Sequence, residues 1–307
     1  MRQVETEAPV TSPPEYPNED LMAALPSSTP SPPRLKRLGE RQALREYVAE
    51  LWLRREFIWN IAAGNLRSQH MDTTLGNLWH VVNPLLLLAV YYLVFGILID
   101  RASEEIPNFI GFLAVGIFIF HYCQRSMSSG ASSIVGNIGL IRSLQFPRAV
   151  LPISAVVQQL LAFGSSVIVM LVLLVGTGEP PRLSWLMLIP IVALATLFGI
   201  GGALITSRLT DQVRDIQNVL PYIFRLLFYM SGILYSVDRL IDDPAIKTAF
   251  LLNPFYDIVG IARHYLMTSY DEPDVASMWL AMSLITLITL VAGIVFFRRG
   301  EGSYGRG

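Results

Sequence analysis

Six apolar runs dominate the chain, at residues 79–99, 106–124, 149–176, 183–207, 216–237 and 277–297, and five of them contain no Asp, Glu, Lys or Arg. The fifth run holds one such residue, Arg225. Crossing about 30 Å of hydrocarbon takes about 20 residues of helix, so the pattern predicts six membrane spans. Ahead of them, residues 34–67 set Arg34, Lys36, Arg37, Arg41, Arg45, Arg54, Arg55 and Arg67 among Leu44, Tyr47, Val48, Leu51 and Trp52 at helical spacing. This predicts an amphipathic helix with its apolar side in a membrane interface and its basic side toward anionic headgroups or a partner. The competing reading is a solvated helix packed on its own domain. Residues 1–33 carry eight prolines and little that can form a core, so ordering their backbone would not be offset by burial. They read as a disordered tail. Because the first long apolar run begins only near Trp79, they do not read as a secretory signal. Between the last two runs, residues 238–274 mix apolar pieces at 249–252 and 258–261 with Asp238, Asp242, Asp243 and Asp257. That pattern suits short re-entrant helices buried against protein.

Charge distribution orients the spans. Arg125, Arg142 and Arg148 follow the second run, Arg208 and Arg214 the fourth, and Arg298, Arg299 and Arg306 the sixth, while the opposite loops offer Arg101 and Arg182 against Asp100, Glu104, Glu105 and Glu179. Basic residues in short loops resist translocation, which predicts that both termini are cytoplasmic. Composition agrees with a bilayer: 52% of residues are hydrophobic and 15% charged, with a mean hydropathy of +0.47. A formal charge of −1 argues against a nucleic-acid partner. One cysteine, Cys123, and four scattered histidines provide neither an intrachain disulfide nor a metal-ligand spacing.

The apolar runs are also informative for what they lack. None has an interior Asp or Glu, groups that ion-driven carriers and proton relays use at membrane depth. The only lysines, Lys36 and Lys247, do not follow a glycine-rich turn, so a phosphate-binding loop for ATP is missing. No nucleophile elbow or paired carboxylates stand at a membrane face, and the residues predict no catalytic role. Arg225 has two readings. It faces a central pathway and attracts a phosphate group, or it snorkels to the interface and pairs with Asp215 or Asp211. The aromatic residues Tyr91, Tyr92, Phe95, Phe118, Phe120, Tyr122, Phe224, Phe228, Tyr229 and Tyr235 likewise suit either a smooth lining for a sugar polymer or ordinary packing and interfacial belts.

One loop carries a recognisable pattern: Asn137-Ile138-Gly139-Leu140-Ile141-Arg142, then Phe146-Pro147-Arg148 and Leu151-Pro152. It resembles the coupling loop of ABC-2 type permeases that export polysaccharides, the Wzm, teichoic-acid and O-antigen exporter group. Further matches, in order, are Leu75-Gly76-Asn77-Leu78-Trp79 with Pro84, Arg208 to Asp215 followed by Leu220-Pro221, and Leu252-Asn253-Pro254. Two positions depart from the family pattern. Gln69-His70 replaces a basic-aromatic pair, and Ser231-Gly232 replaces Ser-Pro, where glycine still allows a helix break.

The resemblance implies an all-α membrane protein: six transmembrane helices, an N-terminal amphipathic interfacial helix, and short re-entrant external helices between spans five and six. Its parts would be a Pro-rich cytoplasmic tail at 1–33, the interfacial region at 34–78, the ABC-2 transmembrane domain at 79–299 and a cytoplasmic tail at 300–307. It implies a permease subunit of the bacterial plasma membrane, a homodimer bound to two copies of a cytoplasmic ABC ATPase. ATP and Mg would sit in that ATPase, with no cofactor in this chain. Asn137, Leu140, Ile141 and Arg142, with Arg45, Arg54 and Arg55 of the amphipathic helix, would receive the ATPase's push. Leu140 and Ile141 would insert into its groove, and Arg142 would meet an acidic rim. A lipid-linked polysaccharide would thread between protomers past Tyr91, Tyr92, Phe95, Phe224, Arg225 and Phe228, its lipid staying in the bilayer. Arginine outnumbers lysine 21 to 2, a bias common in high-GC actinobacteria, whose members of this family export lipid-linked galactan. The alternatives are an ABC-2 permease for a drug or lipid and, from another class, a membrane enzyme acting on polyprenyl-phosphate lipids.

Overall fold

A computed structural model describes residues 44–69, 76–98, 106–237, 243, 250–272, 274–301 and 304. The expected tail at 1–33, the cations Arg34, Lys36, Arg37 and Arg41, and the aspartates Asp238 and Asp242 lie outside these residues. The described residues belong to one compact unit, Gln42–Gly307. Every regular element among them is helical: α1 (Leu44–Leu53), α2 (Arg55–Ser68), α3 (Trp79–Tyr91, continued by a π-helical stretch Tyr92–Leu98), α4 (Phe109–Gly136), α5 (Ile138–Ser143), α6 (Val150–Gly176), α7 (Leu188–Gln212, led in by a 3₁₀ turn Leu183–Met187), α8 (Ile216–Tyr229), α9 (Pro254–Leu266) and α10 (Val275–Gly300).

Local chemistry sets several of these boundaries. Asn108 caps α4 by accepting from the Gly111 amide at 3.0 Å, and Asn253 caps α9 by accepting from Phe255 at 3.1 Å with Pro254 just inside the helix. In α3, Pro84 has no N–H for the His80 carbonyl, and Ser166 of α6 donates its hydroxyl there instead at 3.3 Å.

Five helices among the described residues are long and apolar enough to cross a membrane: Trp79–Leu98, Phe109–Gly136, Val150–Gly176, Leu183–Gln212 and Val275–Gly300. Two boundaries differ from the sequence expectation. The second apolar run was expected to end at 124 with Arg125 in a loop, but α4 continues for 28 residues to Gly136 and carries Arg125 inside it. Its last three turns are rich in Ser and Gly, which lose the hydropathy signal yet pack closely against α7. The fifth run yields only the 14-residue α8, about 21 Å long at 1.5 Å per residue. It stops before Gly232, whose φ of +58° is the left-handed conformation that glycine adopts without a Cβ penalty.

Helix α4 runs through the middle of the bundle, buried from Phe112 to Phe120, and packs on α6, α7, α9 and α3. Close approach of α7 to α10 depends on small residues. A Cβ on Gly201 would come 2.7 Å from the Leu290 nitrogen, and one on Gly293 would come 2.5 Å from the Gly201 carbonyl oxygen. A second apolar cluster gathers Tyr47, Ile134, Ile141, Leu204, Phe297 and Tyr304 at the end of the bundle that carries α5.

Candidate functional site

At the α5 end, a six-residue helix is held between two long ones. The Asn137 side-chain amide donates to the Ser133 carbonyl at 2.8 Å, tying the turn to the last residues of α4. Ile141 points inward and is buried in the second cluster, with Leu140 partly buried against it. The sequence-based expectation that both would insert into a partner groove is therefore altered for Ile141, which its own fold has already covered. Gly139 and the run Arg142, Ser143, Leu144 and Gln145 are exposed at this turn. In α1 and α2, Arg45 and Arg55 are exposed, Arg54 reaches Glu50 one turn earlier at 3.6 Å, and Arg55 lies over the Trp52 ring. Trp52 is 71% exposed and Trp59 54%, so this surface presents aromatic and basic side chains together.

A clasp that the sequence did not reveal joins this end to the chain terminus. Glu301, just past α10, accepts from the Tyr47 hydroxyl of α1 at 3.2 Å and from the Arg148 backbone amide at 2.9 Å, and the Arg148 guanidinium donates to the Glu301 carbonyl. Arg298 lies over the Tyr47 ring, and Tyr304 donates to the Phe297 carbonyl at 2.9 Å. Burial raises the Glu301 carboxyl above the usual range even though the Arg148 amide, Tyr47 and two guanidinium groups pull the other way. Burial likewise raises the Tyr47 phenol, reinforced by Glu301. The segment between α5 and α6, the helix α1 and the end of α10 thus meet at one carboxylate. Arg148 belongs to the recognised loop motif, but its partner stands 153 residues away and has no local signal.

The second group lies where α3 meets α8. Tyr91 stacks on Phe228 with centroids 5.2 Å apart and stands 6.3 Å from Phe95, and its hydroxyl lies near Tyr229 and Arg225. Phe224 and Phe228 are only 3% and 4% exposed, packed with Phe120 and Phe255. Tyr92 is half-buried at the start of the π-helical stretch, close to Gly96. The structure thus brings Tyr91, Phe95, Arg225 and Phe228 together, holds Phe224 in the core behind them, and leaves Tyr92 outside the group. Val219, Pro221, Ile223 and Leu226 of α8 are exposed together with Asn218, Tyr222, Arg225 and Tyr229, and these last four, spaced 4, 3 and 4 apart, form a polar stripe along one side of that surface. Of these four, the sequence pointed to Arg225 as a pathway residue and to Tyr229 as either lining or packing, but not to Asn218 or Tyr222, because the helical phase of α8 was not fixed until its buried face was known.

At the opposite end, polar side chains close the bundle. Glu179 accepts from Asn108 at 3.1 Å, from the Thr268 hydroxyl at 2.6 Å and amide at 2.5 Å, and from Ser269. Burial pushes this carboxyl up, but those donors outweigh it and hold it at about 2. Arg263, buried on α9, donates to the Phe112 carbonyl at 3.1 and 3.2 Å, to Gly232 at 2.8 Å and to Ile233 at 3.0 Å. Gly116 leaves room for it, since a Cβ there would sit 2.7 Å from the guanidinium. The sequence signal was a lone cation in an apolar helix, and it was passed over. Among the described residues, no three His, Cys, Asp or Glu gather as a metal-ligand set.

The family description "ABC-2 type transporter" matches residues 56–267. Among proteins of named function, the O-antigen export system permease protein RfbA of Myxococcus xanthus is 30% identical over 259 residues, covering 83% of this chain and 96% of the relative. RfbA of Klebsiella pneumoniae is 32% identical over 238 residues, covering 76% and 88%. The polysialic acid transport protein KpsM of Escherichia coli is 26% identical over 242 residues, covering 77% and 90%.

Proposed function

This chain belongs to the ABC-2 type transporter family, and on that premise we propose that it is the permease subunit of an ATP-driven exporter of a lipid-linked cell-envelope polysaccharide. Relatives named for O-antigen export and polysialic acid transport support the polymer class. Within that class, a polyprenyl-pyrophosphate-linked galactan or similar glycan is the cargo to test first. The working unit is a plasma-membrane homodimer with two copies of a separate cytoplasmic ATPase, and the α5 end faces the cytoplasm. Six crossings result if the fifth is a broken span. In it α8 is continued by the non-helical residues 230–236, whose freed carbonyls are covered by Arg263 and, at Met230, by Asn253.

The observation that carries this reading is the stripe Asn218, Tyr222, Arg225 and Tyr229 on the exposed surface of α8, whose other exposed residues, Val219, Pro221, Ile223 and Leu226, are apolar. Polar and cationic groups facing lipid are costly, so such a stripe belongs against water, a second protomer or a polar cargo. Two copies facing each other across α8 and α3 would enclose a passage with tyrosine hydroxyls to exchange hydrogen bonds with sugars and Arg225 to attract an anionic linkage. At the other end, ATPase closure would press on Arg142 and Leu144 of the coupling turn and on Arg45, Arg54 and Arg55 nearby. Ile141 and the Glu301 clasp would carry that displacement into α1, α6 and α10.

The test is ATPase activity of the reconstituted complex with and without the glycan-lipid. Replacing Tyr222 and Tyr229 together by Phe, and separately Arg225→Ala, is expected to reduce glycan stimulation while leaving basal hydrolysis intact. Unchanged stimulation in both variants would shift the reading to a drug or lipid permease, which needs no polar lining.

A further inference from the structure

Between α3, α4 and α6 lies a cavity of about 20 Å³, lined by Pro84, His121, Arg125, Gln159, Phe163 and Ser166 among others. It is separate from the α8 stripe and the α5 loop. Arg125 is half-buried in the middle of a membrane-crossing helix. Among the described residues it has no hydrogen-bond or ion-pair partner, and no carboxylate lines the cavity. The other polar groups there make hydrogen bonds of their own, and among the described residues none of those bonds is to Arg125. Ser166 donates to the His80 carbonyl freed by Pro84, the Gln159 amide donates to Ser129 at 3.0 Å, and Tyr122 shares its hydroxyl with Thr196 at 2.6 Å. His121 contacts the Ile117 carbonyl through Nδ1 at 2.9 Å, so that nitrogen carries the proton.

Depth identifies what can answer the cation. Gln158 donates to Gln69 at 2.8 Å, which sets the last residue of the α2 segment level with Gln158 on α6. From there α6 rises about 27 Å to Gly176, and α4 covers about 24 Å from Phe109 to Arg125, both near the thickness of a hydrocarbon core. Arg125 and Gln159 therefore lie at a headgroup plane, beside an interfacial helix, where phosphate oxygens are abundant. The cavity has room for one or two oxygen-sized groups, so a phosphate would seat an oxygen inside it and keep its ester chain in the lipid.

We propose that Arg125, in the cavity between α3, α4 and α6, binds the phosphate of a lipid headgroup from the membrane. The ligand is a phosphate ester carried on a lipid, either a bulk phospholipid or a polyprenyl phosphate. This inference needs that the helices cross a bilayer and that α2 lies at its surface, and it stands whatever polymer is exported.

The experiment measures lipid binding to the purified chain by native mass spectrometry, using phosphatidylglycerol, undecaprenyl phosphate and an uncharged galactosyl diacylglycerol. Arg125→Gln is expected to weaken retention of the phosphate lipids roughly tenfold and leave the glycolipid unchanged, with Arg125→Lys retaining most of the binding. Loss confined to the polyprenyl phosphate assigns the site to that carrier, and equal loss of both assigns it to bulk phospholipid. Wild-type protein gives an independent readout, since phosphate lipids should protect Arg125 from phenylglyoxal and the glycolipid should not. Undiminished phosphate-lipid binding in Arg125→Gln, or equal protection by the uncharged lipid, overturns the proposal.

Discussion

Glu179 ties the start of α4, through Asn108, to the residues just after α9, through Thr268 and Ser269. Its folded-state value of about 2 lies below the unfolded carboxylate value of about 4.3, so its stabilising contribution is complete above that value and is lost as pH falls toward 2. Thermal unfolding of the detergent-solubilised chain should show stability dropping between about pH 4 and pH 2. Glu179→Gln should remove that part of the drop and lower stability at neutral pH by about 2 kcal/mol through its weaker hydrogen bonds. Arg263 answers a different need, because its donors satisfy carbonyls that the break at Gly232 leaves without helical partners. Arg263→Met should cost about 3 kcal/mol or more and appear as loss of monodisperse protein on size-exclusion chromatography, and Arg263→Lys should recover only part of it, since one ammonium cannot span the same carbonyls. Neither residue's role was legible in the sequence. A cation in an apolar helix is visible there, but carbonyl partners created by a backbone break 31 residues earlier are not.

Among the elements, the long helices were legible because each buries or offers to lipid an almost unbroken apolar surface. The expected runs at 79–99, 149–176 and 277–297 correspond closely to Trp79–Leu98, Val150–Gly176 and Val275–Gly300. What misled was reading Arg125 as the end of a span. A charge marks where hydrocarbon ends, while a helix continues as long as its backbone bonds and packing hold, here through Gly130 and Ala131 against α7. The same limit applied to α8, where apolar composition ran on past the turn that ends the helix. The α7–α10 crossing is the element contact most sensitive to side-chain size. Gly201→Val or Gly293→Val should force the two helices apart, since the added carbons have no space at 2.5–2.7 Å from backbone atoms. A lowered midpoint in thermal unfolding and weaker expression would be the readout, and Gly164→Ala, at a glycine with open space, should leave both unchanged.

For the whole molecule, the account is that a short coupling turn is rigidly joined to the rest of the bundle and that a partner ATPase moves it. The loop motif was legible as a pattern of residues, while the clasp that makes it rigid draws on Tyr47, Arg148 and Glu301 from three distant parts of the chain. Glu301→Ala should therefore leave ATPase binding intact and reduce the export achieved per ATP hydrolysed, with Glu301→Gln intermediate because it still accepts from Tyr47. The most direct test of the central claim is the ATPase activity of this chain co-purified with its ATPase in lipid. It compares wild type with a Leu140→Asp, Arg142→Glu variant, each with and without polyprenyl-pyrophosphate-linked glycan. The account predicts a stable wild-type complex stimulated by the glycan and loss of the complex in the variant. A chain that associates with no ATPase, or that turns over a polyprenyl-phosphate lipid by itself, would contradict it.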